Sequence, residues 1–143
     1  MKIRALEKLK RYILEEPRRY RQAAWFYSKE SDIFREQNPP CGTVGCLAGN
    51  ACVMEGLKFL RNSVTRTVWI VGLKGKHLNV SDAAQKILGL THREAEALFA
   101  AFPKDGWSPK AAEAYNAAST PEGRAAAAAM ELDRYIRKAK REK

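Results

Sequence analysis

The sequence predicts a mainly α-helical fold with a small β element, of the α+β class. Three observations predict it: apolar residues recur at helical spacing near the start of the chain, several residue pairs mark helix starts, and one short stretch is rich in β-branched residues. We expect five to six helices around a central helix of small residues at about 43–55, and one β-hairpin near 65–80. At 143 residues the chain is long enough for one hydrophobic core.

The first predicted helix covers residues 2–15. Its apolar residues lie at positions 3, 6, 9, 13 and 14, and Pro17 ends it. The stretch Asn38-Pro39-Pro40 is a stiff loop that leads to Cys41.

The strand candidates come next. We expect "TRTVWIV" (65–71) to pair with "HLNV" (77–80) as a hairpin across "GLKGK". Ser81 is the expected N-cap of a helix that runs to about Leu88, and Gly89-Leu90 turns the chain.

Three further helix starts are predicted in the second half. Thr91 and Glu94 have the spacing of a capping box, and Ser108-Pro109 and Thr120-Pro121 each place proline at a first helical position. The last helix is alanine-rich. Residues 1–137 are expected to form a single globular domain, followed by a basic C-terminal tail at 138–143.

All three cysteines lie in the stretch 39–56, "PPCGTVGCLAGNACVMEG". Thr43 is expected to cap a helix to about Glu55, which would place four small residues on one face: Gly45, Ala48, Gly49 and Cys52. Each glycine inside a helix costs about 0.5–1 kcal/mol relative to alanine, and close approach of a backbone or a ligand is the usual compensation. The predicted ligand-binding residues are Cys41, Gly42, Thr43, Cys46, Gly49 and Asn50. The Thr43 hydroxyl and the amides of 43–46 are a candidate anion site.

One alternative is an enzyme. The segment "PCGTVGCLA" resembles the cysteine–glycine segment of papain-like peptidases, and that resemblance implies Cys41 as nucleophile, Gln37 in the oxyanion hole and His77 as base. Cys41 and Cys46 would gain from a helix N-terminus, which lowers a thiol pKa. However, Pro40 replaces the expected acidic residue and Gln37 lies four rather than six positions upstream. The interpretation therefore favours a non-enzymatic protein.

Metal and cofactor chemistry are not predicted. The cysteines are separated by four and five residues, and His77 and His92 lie far from them, which is not a zinc-binding pattern.

A second alternative is DNA binding through a helix-turn-helix at 81–99. In that hypothesis Thr91, His92 and Arg93 would contact base edges. The segment carries two basic and three acidic residues, so its net charge is negative where it would meet phosphates.

The net charge of +10 is concentrated at the two ends of the chain. Residues 1–21 and 134–143 each have a surplus of five positive charges, and residues 22–133 are neutral. Such segments attract nucleic acid or acidic protein surfaces through salt-sensitive steering. The residues predicted to contact an anionic partner are Arg18, Arg19, Arg21, Arg134, Arg137, Lys138, Lys140 and Arg141.

Two motifs together, "CGTVGCLAG" and "AAQKILGLTHREAEALF", resemble a family of small uncharacterised bacterial and phage proteins. The resemblance covers about residues 1–137 and implies a phage or mobile-element accessory protein without an assigned reaction. We therefore expect a non-enzymatic binding protein with an anionic partner: nucleic acid, a nucleotide or an acidic protein surface. No stretch has the roughly 18 apolar residues of a membrane helix, and the odd number of cysteines favours reduced thiols and a cytoplasmic location.

Overall fold

The computed structural model describes residues 1–22, 26–27, 44–57, 59–61 and 69–142. In these ranges the chain forms six α-helices, two short 3₁₀ helices and two small antiparallel sheets, which is the predicted α+β class. The α-helices are α1 (Ile3–Glu15), α2 (Leu47–Met54), α3 (Val80–Leu88), α4 (His92–Leu98), α5 (Pro109–Ala117) and α6 (Pro121–Arg141). The strands are β1 (Phe26–Tyr27), β2 (Val44–Gly45), β3 (Phe59–Arg61), β4 (Trp69–Leu73) and β5 (Lys76–Asn79). The 3₁₀ helices are Pro17–Arg19 and Pro103–Asp105.

The helix α6 organises the packing. It contacts both α1 and α5, while α2 packs against α3. Alanines fill the buried side of α6, so neighbouring helices approach closely, and larger side chains complete the core. The largest fully buried apolar side chains are Leu6, Leu9, Ile13, Tyr20, Leu47, Leu88, Leu98 and Leu132.

The predicted β-hairpin is present as β4 and β5. Its strands pair from Ile70 opposite Asn79 to Leu73 opposite Lys76, and Lys74 and Gly75 form the two-residue turn with positive φ. The predicted positions 65–68 lie outside the residues that the structure describes. The predicted five-residue link 72–76 is wrong, because Gly72, Leu73 and Lys76 are paired strand residues, and Val80 begins α3 and does not end the strand. Two pairings were not predicted: β3 adds a third strand beside β4, and β1 pairs with β2.

Most of the predicted helix starts are confirmed. Thr91 and Glu94 form a capping box at α4, with the Glu94 amide donating to Thr91 Oγ1 at 3.2 Å. Proline occupies the first turn of α5 and of α6, and the Thr120 hydroxyl accepts from the Gly123 amide. The cap predicted at Ser81 is wrong: α3 begins earlier, because the Asn79 side chain accepts from the Asp82 amide at 2.8 Å.

The central helix is shorter at its start than predicted. It begins at Leu47, not at Thr43, and Cys46 is its N-cap. Gly45 therefore does not share a helix face with Ala48 and Gly49, because it belongs to β2 and lies opposite Phe26. All residues from Leu47 to Cys52 are buried, as expected for a central helix.

The end of α6 reaches into the segment predicted as a tail. The helix runs to Arg141, and Ala139 is buried. Within the described ranges, no helix has the length and apolarity needed to cross a membrane.

A buried polar cluster joins residues 20–22 to the end of α4 and the segment that follows it. The Gln22 side chain donates to the carbonyl oxygens of Leu98 and Ala100 at 3.0 and 2.8 Å and accepts from the Tyr20 hydroxyl at 3.0 Å. The Trp107 indole also donates to Leu98 O, at 3.0 Å. Since each buried polar group has a partner, the cluster holds α4 and residue 22 in fixed positions.

Candidate anionic-partner interface

The two basic ends of the chain lie side by side in the fold. Lys140 of α6 pairs with Glu7 of α1 at 3.6 Å, and Lys10 pairs with Asp133 at 2.9 Å. Residues that come later in α1 thus pair with residues that come earlier in α6, so the helices are antiparallel. The N-terminal half of α1 therefore lies beside the C-terminal half of α6.

Six exposed cations lie on the solvent sides of these two helices. We call them the basic face: Arg4, Lys8, Arg11, Arg137, Lys140 and Arg141. The first three recur at i, i+4 and i+7, which places them on one side of α1, away from its buried leucines. The other three occupy the solvent side of α6, opposite its buried residues. Within the described part of the chain, only Lys8 and Lys140 of the six form ion pairs, with Glu55 and Glu7.

The eight residues predicted to contact an anionic partner do not all lie on the basic face. Arg137, Lys140 and Arg141 belong to the basic face, whereas Arg134 and Lys138 hold internal carboxylates. Arg134 Nε donates to Glu131, whose side chain is fully buried and also accepts from the Ser108 hydroxyl at 2.9 Å. This pairing raises the pKa of the Arg134 guanidinium, although burial opposes the rise.

Lys138 serves a similar internal role. Its ammonium donates to Glu94 of α4 at 3.0 Å. Burial alone would raise the pKa of Glu94, but the Thr91 amide and the Lys138 ammonium together hold it below its usual value. Lys138 therefore links α4 to α6 and is partly neutralised.

The other predicted cations lie beyond the end of α1. Arg18 and Arg21 are exposed, and Arg19 donates to the Tyr12 hydroxyl at 3.1 Å. The prediction omitted Arg4, Lys8 and Arg11, which lie on the exposed side of α1, the helix that packs against α6. Their spacing on α1 was the available signal, since i, i+4 and i+7 cations opposite an apolar stripe share an exposed face.

The structure describes the cysteine-containing segment 39–56 from Val44 onwards. Cys46 and Cys52 are buried free thiols, and burial raises the pKa of both. The hypothesis that a helix N-terminus activates Cys46 is therefore wrong: amides at the start of α2 do lower its pKa, but burial has the larger effect.

Asn50 and Gly49 are buried in α2. The Asn50 amide donates to Arg19 O at 3.1 Å and to Cys46 O at 3.0 Å, which attaches the 3₁₀ helix Pro17–Arg19 to the central helix. The Asn50 side chain thus has a structural function in this arrangement.

Most of the remaining predicted site residues lie outside the part of the chain that the structure describes. Gln37, Cys41, Gly42 and Thr43 lie outside the described residues, and His77 is an exposed residue of β5 opposite Gly72. The hydrolase hypothesis and the anion site at Thr43 stay predictions. Where the structure describes the chain, no three His, Cys, Asp or Glu side chains are grouped as a metal site requires.

The helix-turn-helix segment forms two short helices, α3 and α4. Thr91 is engaged as an N-cap, and His92 lies 3.1 Å from Glu96. The Tyr135 hydroxyl donates to Glu94 O at 3.3 Å, so the first turn of α4 contacts α6. His92 and Arg93 are exposed. DNA reading by these residues stays a prediction.

Comparison with known proteins identifies no relative: no protein-family model matches the chain, and neither a curated protein nor a solved structure matches it. The resemblance to small bacterial and phage proteins therefore stays a prediction, and the function is argued from the geometry.

Proposed function

We propose that this protein is a non-enzymatic binding protein that engages the phosphate backbone of nucleic acid through the basic face. The observation that supports the proposal is the convergence of two charged segments about 130 residues apart in the sequence on neighbouring antiparallel helices. Six cations on one surface raise the local concentration of polyanions and steer their approach.

The shape of the basic face favours an extended ligand over a compact one. Arg4 and Arg11 are seven residues apart, which is about 10 Å along a helix. Phosphates of one DNA strand follow each other at about 3.4 Å along the duplex axis, so a row of this length spans about three of them. A second row on α6 runs beside it. Side chains that contact only phosphates position a ligand without reading its sequence.

The salt dependence of binding tests this proposal. We expect the full chain to bind a fluorescent 20-base-pair DNA duplex of arbitrary sequence, with an affinity that falls as salt rises from 50 to 200 mM. Each neutralised phosphate contributes a slope of about −0.9 to log K against log salt. Replacing Arg137, Lys140 and Arg141 by Gln should weaken binding at 50 mM salt at least tenfold and reduce the slope by about 2–3. Fluorescence anisotropy measures both quantities.

A matched control separates a local effect from the effect of net charge. Lys76, Lys104 and Lys110 are exposed lysines away from the basic face, and their triple Gln variant loses the same three charges. This control should keep most of the affinity and the slope. Equal weakening in both variants would contradict a defined interface. Tight binding to polyglutamate with no binding to the duplex at 50 mM salt would instead show an acidic protein partner.

A further inference from the structure

A cleft lies at the junction of α2, α3, the β4–β5 hairpin and the start of the chain. None of its described lining residues belongs to the basic face, although its Glu55 pairs with Lys8 of that face. The volume of the cleft is about 600 Å³, within the range of small-molecule sites. The lining residues are Lys2, Glu55, Leu57, Leu73, Lys74, Lys86 and Ile87.

The lining combines an apolar floor with a cationic rim. Leu57 lies in the loop after α2, Leu73 ends β4 and Ile87 belongs to α3, and each is only partly buried. The three lysines are exposed, and within the described chain none of them has a side-chain hydrogen bond or an ion pair. Glu55, the carboxylate among the described lining residues, is paired with Lys8 at 3.2 Å. The rim therefore presents three uncompensated ammonium groups.

Lys74 adds a second, independent observation. It occupies the first position of the two-residue hairpin turn, with φ of 50°. This turn type strongly favours Asn or Gly there, because the Cβ of most residues crowds the backbone at positive φ, whereas Gly has no Cβ and Asn tolerates this conformation. A lysine is therefore uncommon in this position, and here it lines the cleft.

From the charge and the apolar floor, we propose that this cleft binds a small amphipathic organic anion, with its acidic group among the three lysines and its apolar body on Leu57, Leu73 and Ile87. Among the described residues, the seven lining side chains include no aromatic ring, amide or hydroxyl, so these seven cannot stack on a nucleobase or read its edges. The inference is independent of the proposed nucleic-acid function.

Methyl NMR of the full chain tests the inference with octanoate as the probe. We expect saturable shifts of the Leu57, Leu73 and Ile87 methyl signals. Octanol has the apolar body without the charge, and inorganic phosphate has the charge without the body, so both should bind at least tenfold more weakly. Equal affinity for octanol and octanoate, or no saturable shift with octanoate, would overturn the proposal.

A variant of the rim and a matched control distinguish a loss of binding from a loss of folding. The double variant Lys74→Asn, Lys86→Gln removes two rim charges, and Asn tolerates positive φ, so the melting temperature should stay level or rise. Its affinity for octanoate should fall about tenfold. The control Lys104→Gln, Lys110→Gln loses the same charge elsewhere and should bind as the wild type does. Unchanged affinity in the rim variant would also overturn the proposal.

Discussion

At the scale of single residues, burial determines what two of the three thiols can do. Cys46 is 3% exposed and Cys52 is fully buried, and burial raises the pKa of both. The thiolate is the reactive species, so both groups are unreactive near neutral pH. Any reactive thiol of the native chain must then be Cys41.

Alkylation of the native protein tests this conclusion. In a Cys41→Ser variant, iodoacetamide should modify Cys46 and Cys52 at least 100-fold more slowly at pH 7.5 than in 8 M urea, since each unit of raised pKa lowers the thiolate fraction about tenfold and burial blocks access. Mass spectrometry of timed samples measures the rates. Fast modification of the native variant would contradict the burial of Cys46 and Cys52. In the wild type, one fast thiol below pH 8 would support the hydrolase alternative for Cys41.

The sequence predicts the role of a single residue correctly where its hydrogen-bond partner is close to it in the chain. Thr91 and Glu94 satisfy each other's amides three positions apart, so the capping box was visible in the sequence. The role of Ser108 is predicted less completely. Its hydroxyl donates to the buried Glu131 and does not cap its own helix. That partner lies 23 residues away, and no local pattern indicates it.

At the scale of elements, the crossing of the 3₁₀ helix Pro103–Asp105 over α4 depends on Gly106. A Cβ added at Gly106 would lie 2.7 Å from both the carbonyl carbon and the Cα of Ala97, which are backbone atoms that cannot rotate away. The indole of Trp107 fixes the same crossing through its hydrogen bond to Leu98 O. The loop therefore has little freedom to shift.

Gly106→Ala should destabilise the protein by about 3 kcal/mol, near the upper end of overpacking costs. The corresponding fall in melting temperature is on the order of 10 °C for a chain of this size. The matched control is Gly72→Ala, where the added Cβ has no neighbour within 4 Å. Thermal unfolding followed by circular dichroism should separate the two variants clearly, and similar melting temperatures would show that the crossing can relax.

The elements differ in how far the sequence predicts them. The hairpin and the proline-started helices α5 and α6 depend on a few adjacent residues, and they are confirmed, although the hairpin turn has two residues where five were predicted. The strands β1 and β3 were missed because two or three residues carry little periodicity. The start of α2 was misplaced, since Gly45 pairs with Phe26 across 19 positions.

At the scale of the whole molecule, the fold class and the charge surplus of the chain ends came from the sequence, but the candidate interface did not. The same surplus of positive charge would be found in a protein whose two ends formed separate basic tails. Only the antiparallel packing of α1 on α6 combines Arg4 and Arg11 with Arg137 on one face. The packing depends on long-range contacts between buried side chains, and these are not visible in a local pattern.

The same packing means that the basic C-terminal segment is part of the folded core. Tyr135 and Ile136 are 4% and 6% exposed, and burying two such side chains contributes about 4–5 kcal/mol. Arg134 donates to the fully buried Glu131, so losing it would also remove a partner from a buried carboxylate, at about 1–3 kcal/mol. The sum is comparable with the total stability of a typical domain, about 5–15 kcal/mol.

A chain that ends at Asp133 should therefore lose cooperative unfolding, or melt well below the wild type, whereas one that ends at Arg141 should melt within about 2 °C of it. The longer variant keeps α6 whole and retains every cation of the basic face, so it is also expected to bind the duplex as the full chain does. Thermal unfolding followed by circular dichroism measures the stability of both variants, and fluorescence anisotropy measures their binding to the DNA duplex. A stable, cooperative 1–133 chain would contradict the role of α6 as the common partner of α1 and α5.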